Sequence, residues 1–189
     1  MYILQGKSPY SRDTYRYTPL VAVLLCPNVF VSDLWGKALF CLCDVVTGYL
    51  IYEIQCKQGL STKTSLFCAQ LWLFNPLTLT VSSRGNAESI IATLVLSSFY
   101  LVSRENTRLR LVGGILYGLS VHMKIYPITF ALPLYLFLGN MRNKTLARQP
   151  LHGKNEVLKR MFYPNSAQLQ LVLSSSAAFI LVTCCCYHL

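Results

Sequence analysis

Residues 34–54 read LWGKALFCLCDVVTGYLIYEI. A helix rising 1.5 Å per residue needs about 20 mostly apolar residues to cross a hydrocarbon core about 30 Å thick. This stretch has that length, and its only charges are Lys37, Asp44 and, at the far end, Glu53. Ser32 or Asp33 stands where an N-cap is wanted. Inside lipid every backbone N–H and C=O must be paired within the segment, so the run reads as a transmembrane helix and sets an all-α, polytopic membrane fold.

Working outward, the same pattern returns. Ser65–Val81 is a second span with Asn75-Pro76 as a kink, Ala87–Val102 a third, and Ser82–Glu88 the turn between them. Leu111–Leu138 is too long for one helix and is broken by His122-Met123-Lys124 and Pro127, so it reads as two spans, 111–121 and 125–138. A basic loop, 139–165, precedes a last span at 168–189. Ahead of the first span, residues 1–33 hold only a short apolar run, Thr18–Phe30, interrupted by Pro19 and Pro27. This reads as a re-entrant or interfacial segment. No cleavable signal peptide opens the chain, and a multi-span protein wants an early apolar segment, so the expectation is that N-terminal sequence is missing.

Composition agrees. The 189 residues are 53% hydrophobic and 13% charged, against about 25% charged in soluble domains. The net charge of +10 is spread over short links rather than gathered on one domain face, so nucleic acid is not the expected partner. If Lys57 and Lys63 are cytosolic and the spans alternate, Arg104, Arg108, Arg110 and the six basic residues of the 139–165 loop are cytosolic too. That side then holds 11 of the 17 Lys and Arg, as positive charge in short cytoplasmic loops requires. Asn143-Lys144-Thr145, a glycosylation sequon by pattern, falls on that side and is expected to stay unmodified. The eight cysteines include no C-x-x-C and no zinc spacing, and read as small buried apolar residues.

The opposite side receives the unusual polar residues: Arg16 and Tyr17, then Arg84, Asn86 and Glu88, then His122 and Lys124. Ionisable groups at membrane depth are costly and mark water-filled cavities or partners. Capping explains Asn86 and Glu88 equally well, whereas His122 and Lys124 inside an apolar run point to function. Lys37 and Asp44 are seven residues apart on one helix face and read as a charge cluster gripping a neighbouring helix. Arg84, His122, Lys124 and Arg16 together suit an anion, such as a lipid phosphate whose charge grows as a bond breaks.

Gly6-Lys7-Ser8-Pro9-Tyr10, Thr14-Tyr15-Arg16-Tyr17-Thr18-Pro19-Leu20, Phe74-Asn75-Pro76, Ser82-Ser83-Arg84-Gly85-Asn86-Ala87-Glu88-Ser89-Ile90 and Val121-His122-Met123-Lys124-Ile125-Tyr126-Pro127 resemble, block by block, the PIG-M family, the catalytic subunits of GPI mannosyltransferase I. The resemblance implies a multi-pass GT-C-type glycosyltransferase of the endoplasmic reticulum membrane. Such an enzyme moves mannose, with inversion, from dolichyl-phosphate mannose to the glucosamine of a glucosaminyl-(acyl)phosphatidylinositol on the lumenal side. It works with a small stabilising membrane subunit, PIG-X in animals. On this footing Arg84, His122 and Lys124 serve the donor phosphate, Arg16, Tyr17 and Asn86 shape the lumenal cavity, and Glu88, the lumenal carboxylate set in a signature turn, is the one catalytic candidate within these residues. Family members also carry a first transmembrane helix followed by Asp-x-Asp. No Asp-x-Asp occurs here, so a general base and any divalent-metal carboxylates are expected outside these residues, as are C-terminal spans. The expectation is about half an enzyme. The rival readings are an inactive interaction fragment and a transporter; no internal repeat supports the latter.

Overall fold

The computed structural model describes residues 8–11, 15, 17–141 and 164–187. Arg16, the sequon at 143–145 and nearly all of the basic loop lie outside them. Among the described residues the secondary structure is helical, with no strand. The helices are α1 (Pro19–Leu24), α2 (Pro27–Phe30), α3 (Trp35–Lys57), α4 (Thr62–Leu73), α5 (Pro76–Ser83), α6 (Glu88–Val102), α7 (Thr107–Met123), α8 (Ala131–Met141) and α9 (Ser166–Tyr187). A 3₁₀ turn at Tyr126–Phe130 leads into α8.

Boundaries follow local chemistry. α3 ends with Gly59 at φ +89°, where Gly59 N–H bonds Cys56 O and Leu60 N–H bonds Gln55 O, the paired bonds of a Schellman cap. Two residues later the Ser61 hydroxyl accepts from Thr64 N–H and starts α4. Residues 65–81 are two helices rather than one kinked span. Pro76 brings no N–H, and Asn75, extended, accepts Leu77 N–H at 2.9 Å as a fresh N-cap. Pro27 likewise splits the 18–30 run into α1 and α2.

α3 and α9 are long and apolar enough to cross a membrane, and α5 with α6 qualify as a pair bent by 117°. Packing fixes the helix directions. α3 and α6 run parallel: Phe40 packs with Ala87, Ile90 and Ile91 near their starts, Thr47 meets Thr93 midway, and Tyr100 O–H donates to Glu53 at 3.3 Å near their ends. α7 returns antiparallel, with Gly113 against Val102 and Met123 back in the Phe40 cluster. α9 runs parallel to α7, with Gly114 against Leu171 and Ser174 and Gly118 against Ser175 and Ala178. Gly114-xxx-Gly118 is thus a small-residue groove of the kind that lets membrane helices approach closely. A second core, Val102, Tyr117, Leu134, Leu138, Ala167 and Leu171, knits α6 to α9.

The molecule therefore has two ends. At one, Lys57 pairs with Glu53 and lies 3.7 Å from the Tyr100 ring centroid, and Arg104 donates to the Tyr100 hydroxyl at 2.6 Å. The other end carries Tyr17, Glu88 and Lys124. Two expectations fail. Lys37 is exposed while Asp44 is buried, and they form no pair. Seven residues return to one face but advance about 10 Å along the axis, so the elements covering Asp44 do not reach Lys37. Nor are the cysteines uniformly buried: Cys41, Cys184 and Cys185 are exposed on outer helix faces.

Candidate functional site

The site begins at the α5–α6 turn. Gly85, at φ +84°, lets Gly85 N–H reach Ser82 O and Asn86 N–H reach Val81 O, a second Schellman cap. That reversal puts Glu88 in the first turn of α6, where a carboxylate is favoured by the helix dipole. Asn86 does not cap, since Ala87 is the N-cap and no side-chain cap bond forms. The buried Asn86 Oδ1 has no partner.

The second turn is built by Tyr117, whose buried hydroxyl donates to Pro127 O at 2.9 Å. This staples the end of α7 to the 3₁₀ turn and leaves Lys124 extended between them, at φ −147° and ψ 144°. The Lys124 ammonium donates to Glu88 Oε1, and the Tyr126 hydroxyl lies 3.3 Å from Glu88 Oε2. The same ammonium is 5.7 Å from the Tyr17 ring centroid, within cation–π range. Three separate stretches of chain thus meet at one ion pair. Tyr15, beside it, donates to Thr18 O at 2.6 Å, and burial pushes its phenol up to about 12, so it remains a donor at neutral pH.

Cavities flank the pair. One of about 770 Å³ is lined by Tyr17, Thr18, His122, Lys124, Phe179 and Thr183 among others. His122 Nδ1 is 3.2 Å from Thr183 Oγ1, while His122 Nε2 and Thr18 Oγ1 are buried without partners. On the other side a cavity of about 220 Å³ contains Asp44, Trp72, Ser82, Glu88 and Ser89. A third, of about 280 Å³, lies between Tyr15, Tyr17, Phe40 and Gly85. Cationic Lys124, with His122 Nε2 and Thr18 Oγ1 unpartnered, can hold an anion, and the carboxylate side can hold hydroxyls.

Of the residues singled out in the sequence, Lys124 reaches both Glu88 and Tyr17, and His122 shares the cavity of about 770 Å³ with Tyr17 and Lys124. Arg84 ends α5, is exposed and lines none of these cavities; its backbone N–H bonds Thr80 O, and its guanidinium makes no hydrogen bond or ion pair with a described residue. Arg16 is outside the described residues. Sequence reading missed Tyr117 and Tyr126, which look like ordinary span aromatics, and set Asp44 aside although an ionisable group in an apolar helix was the available signal. Among the described residues no three His, Cys, Asp or Glu side chains converge to hold a metal.

Comparison with known proteins identifies the family. The family profile Mannosyltransferase (PIG-M) matches residues 81–189. The chain is 41% identical over 187 residues to GPI mannosyltransferase 1 of Dictyostelium discoideum, covering 96% of this chain and 41% of that protein. It is 45% identical over 180 residues to the GPI alpha-1,4-mannosyltransferase I catalytic subunit of Danio rerio, covering 95% and 42%. With GPI mannosyltransferase 1 of Schizosaccharomyces pombe the identity is 32%, covering 100% and 47%. No solved structure matches. The chain spans less than half the length of these curated relatives. With a profile match over more than half its residues, on the segment that carries Glu88, His122 and Lys124, the chain belongs to the PIG-M family of mannosyltransferases.

Proposed function

We propose that this chain is part of a GT-C-type, multi-pass enzyme of the endoplasmic reticulum membrane. The enzyme transfers the first mannose from dolichyl-phosphate mannose to glucosaminyl-(acyl)phosphatidylinositol in GPI-anchor synthesis, on the lumenal side, with a PIG-X-like subunit as partner. The observation that carries this reading is the Glu88–Lys124 pair, which joins two of the family-like turns at the wall of the His122 cavity. Breaking the donor's glycosyl–phosphate bond leaves negative charge on the phosphate. Lys124, with His122 Nε2 and Thr18 Oγ1 unpartnered beside it, supplies preorganised donors where that charge develops. Glu88 holds Lys124 in place and presents its carboxylate to the sugar side. Arg84, exposed near the turn, meets the lipid-borne phosphate from the surface, and Tyr17, Asn86 and Arg16 complete the lumenal cavity.

Lys124→Ala, made in the full-length enzyme and expressed in cells lacking it, should reduce mannosyl transfer at least about 100-fold, the scale for losing one such donor, and Arg84→Ala should reduce it by less, because an exposed cation is screened by water and salt, both at unchanged protein level. Normal restoration of surface GPI-anchored proteins would reject these roles.

A further inference from the structure

The end of the molecule away from Glu88 holds more positive charge than it neutralises. Lys57 Nζ lies 3.7 Å from the Tyr100 ring centroid, and the guanidinium carbon of Arg104 lies 4.6 Å from it. The two cations therefore stand within a Debye length of each other, about 10 Å in 0.1 M salt. Arg104 also donates to the Tyr100 hydroxyl at 2.6 Å. Arg110, near the start of α7, reaches back to Arg104 O at 3.0 Å through Nε and to Glu105 O through a terminal nitrogen. Phenol and carbonyl oxygens are neutral acceptors, so they fix the guanidinium groups without cancelling their charge. Glu53, 3.4 Å from Lys57, is the one carboxylate that forms an ion pair here among the described residues. Three cations pinned against one carboxylate repel each other, and Arg104 and Arg110 are half-buried, where screening by salt is weaker than at a free surface.

Position says what supplies the missing anion. Tyr49 and Tyr52 lie on the last turns of α3 before Lys57, and Tyr49 is 60% exposed. Tyrosines near the end of a spanning helix mark the depth of the lipid headgroups. At that depth the available anions are lipid phosphates, whose oxygens match the guanidinium fork. We infer that Lys57, Arg104 and Arg110 form a binding site for the headgroup of an acidic phospholipid in the adjoining leaflet. A zwitterionic headgroup brings its own ammonium to the cluster and is disfavoured there. The site stands at the opposite end of α3 and α6 from the Glu88–Lys124 pair, and its chemistry does not depend on the mannosyl-transfer reading.

The 189-residue protein, purified in detergent, is titrated with phosphatidylserine and with phosphatidylcholine of the same acyl chains, and bound lipid is counted by native mass spectrometry. One phosphatidylserine per chain should bind at least about tenfold tighter than phosphatidylcholine, since each basic side chain near an acidic lipid contributes a factor of roughly five. Arg104→Gln combined with Arg110→Gln should remove most of this preference. Lys63→Gln, which deletes an exposed charge at the start of α4, should leave it unchanged. Equal affinity for the two lipids, an unchanged preference in the double variant, or an equal loss in Lys63→Gln (diffuse charge alone) overturns the site. Displacement of the bound lipid by millimolar inorganic phosphate would mark a site for free anions and overturns the lipid assignment. If the double variant does not accumulate, Lys57→Gln decides: it should weaken the preference severalfold, and no change overturns the site.

Discussion

Gly85 shows how one residue sets the position of the ion pair. A Cβ added there would meet nothing within 4 Å, so only the backbone opposes a substitution. The left-handed conformation costs an L-residue about 1–2 kcal/mol. Gly85→Ala should therefore lower the melting temperature in detergent by about 2–8 °C, at about 2–4 °C per kcal/mol for a chain of this size. Gly85→Asn should recover part of the loss, because Asn tolerates this region. Equal stability of the Ala variant and the parent would show that the turn does not need the positive φ. Lys124 depends on its surroundings in another way. Its extended backbone follows from the Tyr117–Pro127 bond, a contact ten residues long that neither partner advertises in the sequence.

At the scale of elements, the α7–α9 pair is the sensitive joint. Methyl groups at Gly114 and Gly118 would collide with the Ser174 hydroxyl and the Ser175 carbonyl, and a backbone carbonyl cannot step aside as a side-chain end can. Gly118→Ala should destabilise the chain by about 1–3 kcal/mol, the usual overpacking range, with heat denaturation in detergent as the readout. Gly114→Ala should cost less, because a serine rotamer can give. The reverse order would mean that α9 slides rather than resists. Since His122 meets Phe179 and Thr183 of α9, the same substitution should loosen the cavity that these residues line. α3 and α6 are held differently. The Thr93 hydroxyl sits 2.8 Å from Cys43 O and 2.9 Å from both Ser89 O and the Thr47 hydroxyl, keeping Asp44 and Ser89 at one level.

Over the whole molecule, the two ends make different demands. Lys57, Arg104 and Glu53 gather around Tyr100, while Glu88, Lys124 and Tyr17 gather at the other end of the same helices. In sealed microsomes, with the native cysteines replaced, Glu105→Cys should react with an impermeant maleimide directly and Ile125→Cys only after permeabilisation. Both side chains are exposed, so access depends on the membrane alone. Labelling of both in intact vesicles would place the two ends on one face and remove the proposed lumenal site.

The apolar runs, the proline and glycine breaks and the distribution of lysine and arginine are local properties, and they determined by themselves that the chain is helical and membrane-embedded. They also nominated Glu88, His122 and Lys124, because an ionisable group in an apolar run stands out without any knowledge of its neighbours. Which of these groups meet was decided only by tertiary structure. Glu88 and Lys124 are 36 residues apart and pair because α6 and α7 run antiparallel, whereas Arg84, four residues from Glu88, stays outside on the far side of the Gly85 reversal. Asp44 faces a cavity instead of Lys37 because depth along a helix, unlike the face, depends on where the covering helices stop. The physical reason is the same throughout: sequence period fixes direction around an axis, and packing fixes what stands opposite.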